Sequence, residues 1–110
     1  MHELSIAQSV VDAVVERTEG RRVTAVRLQV GTLSGVVADS MRFCFDLISS
    51  GTPLEGAALD IDEIRGRALC RGCGSQFVVS DLILLCPCGS AEVTVESGRE
   101  LNIKSVEVMP

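Results

Sequence analysis

Cys70-Arg71-Gly72-Cys73, a gap of twelve residues, and then Cys86-Pro87-Cys88-Gly89 form the stretch on which the reading of this 110-residue chain turns. Tetrahedral zinc takes four thiolates at about 2.3 Å, and a C-x-x-C turn brings two sulfurs onto one ion. Gly72, Gly74 and Gly89 supply backbone freedom where such turns need it, and Pro87 stiffens the second half. Two halves on two hairpins would make a closed four-cysteine site, structural because no coordination position remains for water or substrate. The second pair, C-x-C, is one residue shorter than the first and has a tighter bite. A redox C-x-x-C normally opens a helix in a βαβ setting. This one lies among short apolar, strand-like runs, 77–79 and 82–85, beside a second pair. The spacing therefore favours zinc on Cys70, Cys73, Cys86 and Cys88.

Outward from the cysteines, the pattern is that of a helix-and-sheet unit made from both ends of the chain. Leu4, Ala7, Val10, Val11, Val14 and Val15 recur at helical spacing and predict a first helix over 4–17. Ser5 and Gln8 suggest a capping box at its start. Val26, Leu28 and Val30 alternate with Arg27 and Gln29, as on a half-buried strand over 23–30. Residues 31–35, Gly-Thr-Leu-Ser-Gly, read as a loop and match no phosphate-binding pattern. Asp39 or Ser40 then offers a cap for a second helix. Met41, Cys44, Phe45 and Ile48 share one face of it, which makes Cys44 a core residue, and Gly51, Pro53 and Gly56 end it. Leu59 and Ile61 alternate with Asp60 and Asp62 on a second strand, and 101–109 forms a third. The expected fold is α+β: two helices packed on a small mixed three-stranded sheet, with an inserted all-β, zinc-ribbon-like subdomain. The division is 1–67 with 99–110 for the first unit and 68–98 for the four-cysteine unit.

Composition narrows the function. Apolar residues make up 46% of the chain, enough for a real core. That core is modest, so a stapling metal adds useful stability. A net charge of −5 opposes phosphate backbones and anionic lipid surfaces, and the absence of Trp and Tyr removes the usual base-stacking faces. Neither nucleic acid nor a membrane is expected as a partner. The start shows no basic leader, and no apolar run approaches the roughly 20 residues of a membrane span, so a cytoplasmic protein is expected. In a reducing compartment cysteines point to metal before disulfides.

The only histidine is His2, between Met1 and Glu3. A terminal amine, the amide nitrogen of residue 2 and its imidazole can close fused chelate rings on one ion. Planar nitrogen donors of this kind suit Ni(II) or Cu(II), unlike tetrahedral zinc. Glu3 adds an amide or a carboxylate. Met1-His2-Glu3-Leu4-Ser5, a strand ending in Val30-Gly31, the late four-cysteine knuckle and the closing segment Lys104-Ser105-Val106-Glu107 together resemble the hydrogenase nickel-incorporation family (HypA/HybF), over essentially the whole chain. The resemblance implies a nickel metallochaperone, not an enzyme, serving nickel–iron hydrogenase maturation and in some organisms urease. It implies nickel cargo at Met1, His2 and Glu3 with Asp39 as a supporting carboxylate, and structural zinc on Cys70, Cys73, Cys86 and Cys88. It further implies as partners a hydrogenase-maturation GTPase, the hydrogenase large subunit and, where urease is served, urease maturation proteins. The chain itself is expected to be a monomer or weak homodimer. Family members usually carry C-P-x-C where this chain has Cys86-Pro87-Cys88.

Two rival classes are weaker. A zinc-ribbon adaptor or nucleic-acid-binding protein without nickel fits the knuckle but not the acidic charge, and Arg65, Arg67 and Arg71 read as a solvated face. A redox enzyme using Cys70 and Cys73 would need a low-pKa thiol and a substrate cleft, and no motif is present for either.

Overall fold

The strand Val23–Gly31 (β1) organises the molecule. Val23, Val26, Leu28 and Val30 are buried on it while Thr24 and Arg27 face solvent. A computed structural model describes residues 3–79 and 83–110. In it β1 is the centre of a mixed sheet in the order β2-β1-β6, with β2 at Ala58–Ile64 and β6 at Leu101–Val108. β2 runs parallel to β1, with Val26 beside Leu59 and Leu28 beside Ile61. A parallel pair needs a long crossover, and the helix Ala38–Ser49 (α2) lies in that connection. β6 runs antiparallel on the other side, with Val26 beside Val106 and Leu28 beside Ile103. The expected mixed three-stranded sheet with two helices is what forms.

The first helix, Glu3–Arg17 (α1), buries Ala7, Val10, Val11 and Val14. With Met41 and Phe45 of α2, the four buried side chains of β1, Leu54 and Ala57 they form one core, and Cys44 and Ile48 pack half-buried against it. α1 ends where Glu19 and Gly20 turn left-handed, at φ 56° and 75°, and the Gly20 N–H returns to the Val15 carbonyl at 3.0 Å.

Two cap expectations are corrected. α1 has begun by Glu3, so Ser5 lies inside the helix, where its carbonyl accepts from the Ser9 hydroxyl, and Gln8 donates to Asp12 at 2.8 Å instead of closing a capping box. At α2 the cap position is Val37, with no side-chain hydrogen bond. Asp39 sits in the first turn, where its charge favours the helix dipole and pairs with Arg42 at 3.2 Å.

The remaining strands make a second sheet, antiparallel, in the order β4-β3-β5: Gly66–Cys70 (β3) lies between Gln76–Val79 (β4) and Val93–Ser97 (β5). Ala68 is its buried centre, facing Phe77 on one side and Val95 on the other. The apolar run 82–85 does not supply a strand among the described residues. Leu82 lies outside them, and Ile83 and Leu85 are exposed. The strand opposite β4 is instead β5, further along the chain.

Candidate metal centre

The first knuckle continues β3. The Cys70 N–H donates to the Ser75 carbonyl at 2.8 Å and the Gly74 N–H to the Cys70 carbonyl at 2.9 Å, closing a tight turn that Gly74 completes at φ 79°. The second knuckle is a turn ahead of β5, not a second strand hairpin. Its Cys86 N–H donates to the Ser90 carbonyl, the Gly89 N–H returns to the Cys86 carbonyl, and Gly89 takes φ 96°. Gly72 keeps an ordinary backbone conformation, so only two of the three knuckle glycines serve a left-handed turn. The Arg71 N–H bonds the Glu92 carbonyl at 2.8 Å and ties the two knuckles together.

The four thiols converge. All four sulfurs lie within 4.8 Å of one another, with Cys70 and Cys86 buried and Cys73 and Cys88 exposed. Cys70 Sγ stands 3.8 Å from Cys88 Sγ, and Cys73 Sγ 3.6 Å from Cys86 Sγ. A tetrahedron with metal–sulfur bonds of about 2.3 Å sets its sulfurs about 3.8 Å apart. The spacing therefore fits a four-thiolate metal ion, and the shortened Cys86-Pro87-Cys88 pair does not prevent it.

The electrostatics prepare the same chemistry. The Cys73 N–H points at Cys70 Sγ at 3.4 Å, and this bond holds Cys70 below the usual thiol range. The Ser75 hydroxyl and then the Ser75 N–H stabilise the Cys73 thiolate and draw it down to about 6. Cys86 also accepts from the Cys88 N–H at 3.5 Å, which lowers it, but burial and the crowd of neighbouring sulfurs outweigh that bond and push it up to about 12. Three other sulfurs around a buried thiol resist a further negative charge; a divalent cation at the centre removes that conflict. Ser75 was not singled out from the sequence, although its place two residues after a knuckle cysteine is where a donor reaches the sulfur.

Of the other expected site residues, Met1 and His2 lie outside the described residues. Glu3 opens α1, and Asp39, with its side chain 97% exposed, stands in the first turn of α2, the helix that packs on α1.

The sequence model for the family described as hydrogenase/urease nickel incorporation, metallochaperone, hypA matches residues 1–108. The chain belongs to the HypA family. Curated HypA relatives agree. The hydrogenase maturation factor HypA of Nostoc sp. is 45% identical over 108 residues, covering 98% of this chain and 96% of its own length. That of Geobacter metallireducens is 48% identical over 109 residues, covering 98% and 99%. Among solved structures, the solution structure of the nickel metallochaperone HypA from Helicobacter pylori matches with a TM-score of 0.64 at 22% identity, over 99% of this chain and 98% of that one. A second HypA solution structure matches at 0.67 and 22%, over 99% and 97%. These two establish a shared fold. HypA proteins are metallochaperones of hydrogenase maturation and not enzymes, and this HypA-family chain carries a four-cysteine cluster able to hold a metal ion. Among the described residues no helix is long and apolar enough to cross a membrane.

Proposed function

We propose that this protein carries Ni(II) on the Met1 amine, the amide and imidazole of His2 and Glu3, with Asp39 as a nearby carboxylate, and delivers it during maturation of nickel–iron hydrogenase, with urease as a second client. Zinc on Cys70, Cys73, Cys86 and Cys88 is the resident structural metal. The observation that carries this reading is the family match over residues 1–108, which takes in the Met1-His2-Glu3 start together with the cysteine cluster. The two sites divide the labour by their chemistry. A closed set of four thiolates offers no open position and retains its ion. Nitrogen donors at a chain end can leave a metal one at a time, which is what a carrier requires. A neutral imidazole and a free amine are needed, so nickel binding weakens as pH falls through the histidine range.

In this reading the chain has a discontinuous nickel-binding unit, 1–67 with 99–110, and a four-cysteine unit, 68–98. Its partners are a hydrogenase-maturation GTPase and the hydrogenase large subunit, met in the cytoplasm, with neither nucleic acid nor membrane involved. Outside these encounters the chain is a monomer or a weak homodimer.

The test uses protein with no amino-terminal addition. Ni(II) is titrated by calorimetry into the native chain and into His2→Ala, with zinc counted by elemental analysis in both. A nickel site lost in His2→Ala, with one zinc per chain retained, is the expected result. Nickel binding unchanged by His2→Ala, or by an amino-terminal tag, would overturn the terminal site.

A further inference from the structure

The two sheets are joined at only two places in the chain: Arg65, between β2 and β3, and residues 98–100, between β5 and β6. The molecule is long for its size, 52 × 24 × 17 Å with a radius of gyration of 17.0 Å, against about 13 Å for a compact chain of this length. Two sheets end to end on such short links could swing like beads, or be held as one body. The loop after β1 decides between these.

That loop grips both links. The Thr32 N–H donates to the Ile64 carbonyl at 2.9 Å, and the Thr32 hydroxyl accepts from the Gly66 N–H at 3.0 Å, so one residue holds the backbone on both sides of Arg65. The Gly31 N–H donates to the Glu100 carbonyl and the Leu33 N–H to the Gly98 carbonyl, each at 2.7 Å, so its two neighbours hold the second link. The links are also tied to themselves and to each other: Glu100 Oε1 accepts from the Gly98 N–H at 2.7 Å, and the Ser97 hydroxyl donates to the Arg65 carbonyl at 2.8 Å.

Three glycines permit this approach. A Cβ on Gly31 would stand 1.9 Å from the Gly98 carbonyl oxygen, and one on Gly98 would stand 2.5 Å from Gly66 Cα. A Cβ on Gly66 would stand 2.8 Å from Leu33 Cδ1, which also lies beside Gly98. Gly31, Gly66 and Gly98 are all buried. Three backbones in contact, with a leucine side chain wedged against two of them and hydrogen bonds on every side, form a packed joint of the kind that has one arrangement and not a continuum.

We infer that Gly31-Thr32-Leu33 is a clamp that locks the four-cysteine sheet to the helix-bearing sheet in a single orientation. β3 runs straight from this joint into Cys70, four residues on, so the metal centre is a fixed arm about 13 Å beyond the clamp. A partner that contacts the cysteine end therefore meets the α1 end at a set distance and angle. This geometry does not depend on what metal is carried.

Residual dipolar couplings on the metal-loaded protein test it, with amides of β1, β2 and β6 fitted separately from those of β3, β4 and β5. One alignment tensor should describe both sets in the native chain. Leu33→Ala with Thr32→Val removes the wedge and one grip while leaving every glycine in place. It should split the tensors, with the metal content and the shifts of Val26 and Leu28 unchanged. Should the pair fail to fold, Leu33→Ala alone is read the same way. Two different tensors in the native chain, or a single tensor surviving in a folded variant that has lost the wedge, would overturn the clamp. Nickel binding enters neither readout, so failure here is separable from failure of the carrier reading.

Discussion

Withdrawing the metal from the cysteine centre should melt the second sheet and leave the first standing. Among the described residues the second sheet and its knuckles bury only the side chains of Ala68, Cys70, Val79 and Cys86, and two of those four belong to the cysteine cluster. Burying Val79 and Ala68 contributes about 3 kcal/mol together, and the half-buried Leu69, Phe77, Val93 and Val95 about 1 kcal/mol each. Fixing strands of five, four and five residues costs about 20 kcal/mol at ~1.5 kcal/mol per residue. The shortfall, about 13 kcal/mol, falls inside the ~10–16 kcal/mol apparent for structural zinc in small domains at neutral pH. An ion held by the four cysteines would then be the main part of this sheet's core. The first sheet owes nothing to it, because its core of α1, β1 and α2 side chains is separate. The assay is a chelator titration followed by amide spectra. Signals of Ala68, Leu69 and Val95 should collapse to unfolded positions while those of Val26, Leu28 and Val106 persist. Native shifts at Ala68 and Val95 in verified metal-free protein would refute the accounting.

Other side chains give equally definite outcomes. Ser75→Ala removes the hydroxyl that leads the lowering of Cys73 to about 6. A thiolate stabilised in this way contributes above its unfolded value near 9 and is lost as pH falls through about 6, so the variant should release its metal at higher pH than the native chain in a chromogenic-chelator assay. Gly31→Ala drives a Cβ to 1.9 Å from a backbone oxygen with no flexible side chain to give way, and should cost at least ~2–3 kcal/mol in urea denaturation. Phe45→Ala, at a fully buried position, should cost about 3–5 kcal/mol. Phe43→Ala, two residues earlier on the same helix but 69% exposed, should change stability by no more than about 0.5 kcal/mol. Equal losses for the two phenylalanines would show the face of α2 to be wrongly assigned.

What could be read from the sequence were features whose signal is local. The 3.6-residue recurrence over 4–17 marked α1 because an amphipathic helix must place Ala7, Val10, Val11 and Val14 on one side. The alternation around Leu28 marked β1 for the corresponding reason. The cysteine spacing could be read because a chelate is itself a local constraint. Helix starts were less legible. Ser5, Asp39 and Ser40 are good capping types, yet α1 has begun by Glu3 and α2 by Ala38, ahead of the residues whose side chains would have capped them. β5 was missed because its apolar content is two half-buried valines, Val93 and Val95, on a strand whose partner, β3, supplies the pairing.

The joint between the sheets had no sequence signal at all, and the reason is physical. Gly31 looks like the end of a strand, Gly66 like a break between two, and Gly98 like a turn, and each of those readings is locally sufficient. Only their meeting, across separations of more than thirty residues, shows that none could carry a Cβ without striking another backbone or Leu33. The same holds for Thr32, which is an unremarked loop residue until its hydroxyl is found under the Gly66 N–H. Periodicity reports how one element faces a core; it does not report where two backbones touch. A chain whose two halves must keep a fixed geometry therefore writes that requirement in the residues a pattern reading passes over as loop.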